Sequence, residues 1–258
     1  MSMKLPASIT RFIGDAALVP DTVGESPCRV QSFHRAGEVF FLKSSPAIFA
    51  PTTYSVLREA RVLDWLAGRL KVPELVLVAQ DHGHEFMITR QVPGVPLSEW
   101  LREPRVVLEL FAQALRQVQA VPVVDCPLDS GIAVRLAELD YLLVNGLCAA
   151  EHDLEQWPGL ASAEDLRDRL HGNRPREERL FSHGDLGDSN VFVDRRDELH
   201  FIDLGRGGLA DPWLDIAFVH RDLREQLGPQ LADEFLAGLP LPDQPARREY
   251  FEQLDELF

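Results

Sequence analysis

Residues 181–190 read FSHGDLGDSN and residues 201–205 read FIDLG. Between them, Val191, Phe192 and Val193 form one apolar run, and Leu199, Phe201 and Ile202 form another around His200. The polar run DRRDE, 194–198, separates the two. Short apolar runs on either side of a polar turn predict an antiparallel β-hairpin. Counting inward from Asn190 and Asp203, the midpoint falls between Arg196 and Asp197. Symmetric pairing about that point sets Asn190 opposite Asp203, with Cβ atoms roughly 5 Å apart. An amide oxygen and a carboxylate that close suit a hard cation, Mg²⁺ before others, because every donor is oxygen. Asp185, upstream on the loop that enters the hairpin, is then placed to meet a substrate. The pattern is a metal site with a base beside it.

Kinases use the same spacing: an aspartate, an asparagine five positions later, then an Asp-x-Gly triplet. Here Gly184 precedes the aspartate and Leu204 fills the middle of the triplet. His183 reads as a residue that fixes the loop, not as the base.

A chain of 258 residues is long enough for two lobes and a sizeable core. Lysine and arginine total 26 against 41 aspartates and glutamates, a net charge of −15. That balance argues against a nucleic-acid partner, whose phosphates reward basic surfaces. It suits a polycationic ligand, which an acidic cleft concentrates, although solubility alone also accounts for it. No apolar run approaches membrane-spanning length, and residues 1–20 lack a long apolar core, so the expectation is a cytoplasmic protein with no membrane partner. Cys28, Cys126 and Cys148 are odd in number and lack metal spacing, and they read as reduced, half-buried thiols.

Taken in order, 16–20 and 28–34 read as short strands around a loop whose backbone amides and Ser26 hydroxyl could cover phosphates; it holds one glycine, and Pro27 removes an amide. After a turn at Arg35, Ala36 and Gly37, the strand 38–43 places Lys43 on one face with Val39 and Phe41. In the helix that follows, Val56, Leu63, Leu66 and Leu70 make a stripe with Glu59 in its middle. A carboxylate there is costly unless paired, and Lys43 is the nearest cation in a strand–helix unit. A Lys–Glu pair over a nucleotide is a third kinase part. A hairpin at 75–79 and 85–92 turns on Asp81, His82, Gly83 and His84, whose histidines lack a third ligand and read as solvated.

The run VPGVP, 92–96, cannot continue a helix or strand; it marks a lobe boundary near Pro93 and can offer backbone groups to an adenine edge. Beyond it, 105–120, 134–144 and 163–171 have helical spacing. Asp211 followed by Pro212 is a helix start, so Asp211 and Asp215 read as structural. An acidic cluster at 151–155 is either a solvated face or part of a cation site. The closing LDELF, 254–258, puts negative charge where it opposes a helix dipole. Either that end frays or it is kept to hold a cation.

With TTY at 52–54, RLAELDYLL at 135–143, the 181–190 stretch, IDLGR at 202–206, the run 211–218 and LDELF at 254–258, the sequence resembles the aminoglycoside 3′-phosphotransferases nearly end to end. The resemblance implies a bilobal, protein-kinase-like α+β fold. Residues 1–93 would form a small nucleotide-binding lobe with an antiparallel sheet and one main helix. Residues 94–258 would form a larger, mostly helical lobe for catalysis and substrate. It implies ATP and Mg²⁺ as cofactors, a cationic aminoglycoside as substrate, and a monomer or weak dimer.

By the same resemblance Asp185 is the base or orienting carboxylate, and Asn190 and Asp203 are the Mg²⁺ ligands. Lys43 holds the α/β-phosphates, Glu59 holds Lys43, and Ser26 matches the loop over the β-phosphate. Phe41 stacks on adenine, and Arg90 and Val92 offer it backbone groups. Glu155, Asp188, Asp255, Glu256 and the Phe258 carboxylate bind substrate ammonium groups. Arg206 stands between two roles, neutralising phosphate or bracing its loop. The segment 157–163 is apolar and small where the family pattern is acidic, which bears on substrate range. Kinases of choline or fructosamine, and a silent nucleotide-binding module, are the alternatives.

Overall fold

A computed structural model describes residues 4–21, 26–81, 83–148, 154–256 and 258. Its contacts divide the chain into two compact units, one of Met1–Val95 with Phe192–Arg206 and one of Pro96–Val191 with Gly207–Phe258. The chain passes from the first unit to the second between Val95 and Pro96, inside the run read as a linker. The second unit differs from the 94–258 lobe drawn from sequence: Gly94 and Val95 fall in the first unit, and so does Phe192–Arg206.

The first unit is built on a five-stranded antiparallel sheet. Its strands are β1 (Val19–Asp21), β2 (Arg29–Arg35), β3 (Glu38–Pro46), β4 (Leu75–Asp81) and β5 (His84–Arg90), in the order β1-β2-β3-β5-β4. Alternation along β3 buries Phe40 and Leu42 on one face and leaves Val39, Phe41 and Lys43 half-buried on the other. The core is on the Phe40 side, where Phe33, Phe86 and Ile88 meet Ile9 and Ile13 of a short helix, α1 (Ala7–Ile13). Ring contacts among Phe12, Phe33 and Phe40 tie that helix to the sheet. Lys43 thus leaves the apolar core to the opposite face, free to serve chemistry.

Helix α2 (Val56–Leu66) buries Val56, Glu59, Ala60, Val62, Leu63 and Leu66, the stripe expected from its sequence except for Leu70, which lies past its end. Ser55 caps it by accepting from the Arg58 N–H at 3.1 Å. Glu85, 2% exposed on β5, adds a second anchor: its Oε2 accepts from Ser55 Oγ at 2.8 Å and from the Leu57 N–H at 3.1 Å.

The β2–β3 turn is a two-residue loop, Ala36 and Gly37, with φ of 52° and 83°. Two left-handed residues match the twist of a hairpin, but alanine resists that conformation. Ala36→Gly is expected to stabilise the protein by about 1 kcal/mol. A urea titration should show a higher midpoint with an unchanged slope. A lower midpoint would contradict the turn geometry.

In the hairpin Val191–Val193/Leu199–Phe201, the Asp194 N–H donates to the Glu198 carbonyl at 3.0 Å and the Asp197 N–H to the Asp194 carbonyl at 3.0 Å. Asp197 has φ 59°. The loop therefore centres on Arg196, half a residue before the midpoint assumed from sequence. Symmetric pairing of Asn190 with Asp203 does not follow from this turn.

The second unit is mostly helical. It comprises α3 (Pro104–Gln119), α4 (Ile132–Asn145), α5 (Ala163–Gly172), α6 (Pro212–Leu227), α7 (Pro229–Ala237) and α8 (Pro245–Asp255), with a small antiparallel pair, Leu180–Ser182 and Gly208–Ala210. Asp211 caps α6 by accepting from the Trp213 N–H at 2.9 Å, ahead of Pro212 at the first helical position. It also accepts from the Glu178 N–H at 2.9 Å and pairs with Arg247. Its structural role is borne out. Among the described residues no helix is long and apolar enough to cross a membrane.

Candidate active site

In the first unit, three charged side chains expected from sequence meet. Lys43 Nζ lies 2.8 Å from Glu59 Oε2 and 2.6 Å from Asp203 Oδ1. Burial alone would depress the lysine, but Asp203 and Glu59 override it and hold it well above its ordinary value. Burial raises Glu59, and Lys43 opposes that shift. The pair predicted between a strand lysine and a helix glutamate is present, and Asp203 joins it as a third member.

Asp203 has φ 57°, an uncommon conformation for a residue other than glycine. It opens the short 3₁₀ turn Leu204–Arg206. A Cβ at Gly205 would lie 2.6 Å from the Thr53 carbonyl, so only glycine lets this turn pass so close to the chain entering α2. Strain at Asp203 and the missing side chain at Gly205 together set the carboxylate beside Lys43. The Arg206 guanidinium lies 5.9 Å from the centre of the Tyr54 ring.

The other residues expected from the resemblance to face the nucleotide fall as follows. Phe41 is half-buried on the Lys43 face of β3. The Arg90 N–H donates to the Glu74 carbonyl at 3.0 Å and so is not available to an adenine edge; its side chain pairs with Glu38 and Glu74. Val92 is buried just past β5. Ser26 is half-buried, and the rest of its loop, 22–25, lies outside the described residues. Cys28, beside Lys43, donates its thiol to the Tyr54 carbonyl at 3.3 Å, and burial pushes the thiol up to about 11.

In the second unit, the loop after Leu180–Ser182 is fixed by one buried carboxylate. Asp215, fully buried on α6, accepts the His183 N–H at 2.9 Å and the Gly184 N–H at 2.8 Å. Burial raises its pKa against the pull of His183 and those amides. His183, also fully buried, accepts the Asp185 N–H on Nδ1 at 3.3 Å and is the loop-fixing residue its sequence reading expected. The Asp185 carbonyl then accepts the Gly187 N–H at 3.0 Å and Asn190 Nδ2 at 2.9 Å. With its amide nitrogen so used, the Asn190 side chain keeps Oδ1 as its acceptor.

Asp188, on the same loop, is buried, and its pKa is raised by that burial. The sequence reading missed its neighbour Asp222, on α6. Burial and the Asp188 charge push Asp222 up to about 7, although it accepts a backbone hydrogen bond from Asp188. Its Oδ2 is buried without a hydrogen-bond partner among the described residues. Two carboxylates this close are costly when both are ionised, and a cation would relieve them.

The consequence can be measured. A folded-state pKa of about 7 against 3.8 means that stability is lost as pH rises through that window, and the full penalty applies above it. Asp222→Asn should therefore stabilise the protein at pH 8, by on the order of 1–2 kcal/mol after solvent relaxation, and much less at pH 5. Equal melting shifts at both pH values would contradict the raised pKa.

At the acidic end, Asp255 Oδ2 lies 2.6 Å from Arg221 Nη2 and Oδ1 lies 3.8 Å from Arg135 Nη2. Glu256 Oε2 accepts from Gln156 Nε2 at 3.2 Å and from Trp157 Nε1 at 3.3 Å. Trp157 opens the segment that departs from the family pattern, and here it holds a predicted substrate carboxylate. Glu155 lies in the short turn Leu154–Gln156, but its side chain falls outside the described residues, as do residues 151–153.

One further cluster has metal-ligand character: Asp194, Glu198 and His200, with ligand atoms within 4.8 Å of one another. Asp194 Oδ1 already accepts the Arg196 and Glu198 N–H groups, and its pKa is lowered to about 2 by those bonds. Glu198 pairs with Lys71, so the cluster braces the hairpin turn. It is distinct from Asn190 and Asp203. His84 falls in β5 opposite Asp81, and His82 lies outside the described residues.

A model of the phosphotransferase enzyme family matches residues 29–250. A relative from Acinetobacter baumannii, named aminoglycoside 3′-phosphotransferase, is 42% identical over 99% of this chain and 100% of its own. The chain belongs to the aminoglycoside phosphotransferase family. A relative of the same name from Enterococcus faecalis is 37% identical over 99% of both chains. Among solved structures, an aminoglycoside-3′-phosphotransferase of type VIII superposes with a TM-score of 0.83 at 28% identity, covering 97% of each chain. The protein-kinase-like architecture of the family accounts for the sheet unit, the helical unit and the Lys43–Glu59 pair.

Proposed function

We propose that this aminoglycoside phosphotransferase transfers the γ-phosphoryl group of ATP to the 3′-hydroxyl of an aminoglycoside and so confers resistance. The observation that carries the phosphotransfer reading is Lys43 bonded to both Glu59 and Asp203. The relatives of near full length supply the acceptor. In this reading Lys43 holds the α/β-phosphates, and Phe41, Arg90, Val92 and Ser26 hold the remainder of the nucleotide. The donor set fits Mg²⁺: an Asp203 carboxylate turned by its left-handed backbone and an Asn190 amide whose nitrogen is already used. When bound, the ion neutralises charge on the phosphoryl group. Asp185 orients the acceptor hydroxyl and takes its proton. Asp188, Glu155, Asp255, Glu256 and the Phe258 carboxylate receive ammonium groups, and Arg206 serves either the phosphate or its own loop.

Residues 1–93 would then be the nucleotide lobe and 94–258 the catalytic and substrate lobe. The protein would work in the cytoplasm as a monomer or weak dimer, without nucleic-acid or membrane partners. An ADP-coupled assay with kanamycin, neomycin, choline and fructosamine tests the acceptor class, and NMR of the product tests the position. ADP release with kanamycin and a 3′-phosphate are expected. Turnover with choline but not kanamycin, or phosphate on another hydroxyl, would refute the reading.

A further inference from the structure

We infer that Arg135 is a positioning residue for the acidic tail, fixing Asp255 and Phe258 where substrate ammonium groups are received; the inference rests on the function proposed above. Arg135 is on α4 and is 1% exposed, a setting in which a guanidinium is costly unless closely matched. Three contacts of the described residues lie against it, while Nε and Nη2 make no hydrogen bond among them. Nη1 lies 3.2 Å from Glu138 Oε2 one turn further along α4, Nη2 lies 3.8 Å from Asp255 Oδ1, and the guanidinium carbon sits 3.8 Å from the centre of the Phe258 ring. The contact over the ring uses the flat face of the guanidinium while its edge faces the carboxylates, a combination that arginine can make and lysine cannot.

Left alone, the end of α8 would splay, because Asp255 and Glu256 oppose the helix dipole. Arg221 hydrogen-bonds Asp255 Oδ2, and the Arg135 guanidinium faces Oδ1 at ion-pair distance. That makes residue 255 a fixed post, while Phe258 is fixed by its ring. Glu256, between the two, accepts from Gln156 Nε2 and Trp157 Nε1.

Arg135→Met should raise KM for kanamycin about tenfold, while KM for ATP and kcat stay within about threefold. Arg135→Lys, which keeps charge without the planar fork, should recover only part of the loss. Hydrogen exchange of peptides covering 251–258 should accelerate at least tenfold in Arg135→Met, with α6 peptides unchanged. Parallel losses in kcat and KM for ATP, an unchanged KM for kanamycin, or unaltered exchange at 251–258 would each overturn the inference. Should Arg135→Met not fold, Phe258→Leu gives the same reading: KM for kanamycin up about threefold with KM for ATP fixed supports the clamp, and an unchanged value overturns it. If the wild-type chain shows no aminoglycoside turnover, the function proposed above fails, and tail exchange still decides the role of Arg135.

Discussion

Asp185→Ala is expected to lower kcat by roughly 10²–10⁴-fold, the range over which a positioned proton acceptor contributes to a transition state. That corresponds to about 3–5 kcal/mol of barrier. The loop should survive the change, because its internal bonds run through the Asp185 backbone: its N–H to His183, its carbonyl to Gly187 and to Asn190. Nucleotide binding should also persist, since Lys43, Glu59 and Asp203 belong to a different compact unit. Calorimetric titration with a nucleotide and an ADP-coupled assay on the same preparation separate these effects. Turnover within tenfold of wild type would remove Asp185 from its role.

Asp215→Asn should have the largest effect on stability. The carboxylate meets two N–H groups, those of His183 and Gly184, in a fully buried site. An amide can accept from only one of them and turns its own NH₂ toward the other, leaving a buried donor unmet. The expected destabilisation is about 3 kcal/mol, read as a melting shift of roughly 6–12 °C. Because the same bonds set the backbone just before Asp185, kcat should fall with stability, even at temperatures where the variant is fully folded. A variant as stable as wild type would mean that water or a neighbour replaces the lost acceptor.

Much of the first unit was legible in sequence because its signals are local. Alternation put Lys43 on the face away from Phe40 and Leu42, and helical period put Glu59 in a buried stripe, where burial demanded a partner. The Asp211–Pro212 helix start is a two-residue signal. What escaped was tertiary. Asp203 reaches Lys43 through a left-handed residue, which no spacing announces. The hairpin register was misjudged because Asp197, not the usual glycine, takes the left-handed position of its loop. Asp222 and Arg135 look like ordinary helix charges until packing places one beside Asp188 and the other over Phe258. Helix α1 went unread because it is short, has no side-chain cap and buries only Ile9 and Ile13.

The half-buried thiol of Cys28 has a practical bearing on inhibitor chemistry. It stands near Lys43, where a medicinal chemist would seek a covalent anchor for an adenosine mimic. Burial pushes the thiol up to about 11, so little of the reactive thiolate is present at pH 7. Acrylamide warheads aimed there would label slowly, and lysine-directed electrophiles would face an ammonium locked between two carboxylates. Reversible ligands that bring their own anionic group to displace Asp203 from Lys43 suit this site better.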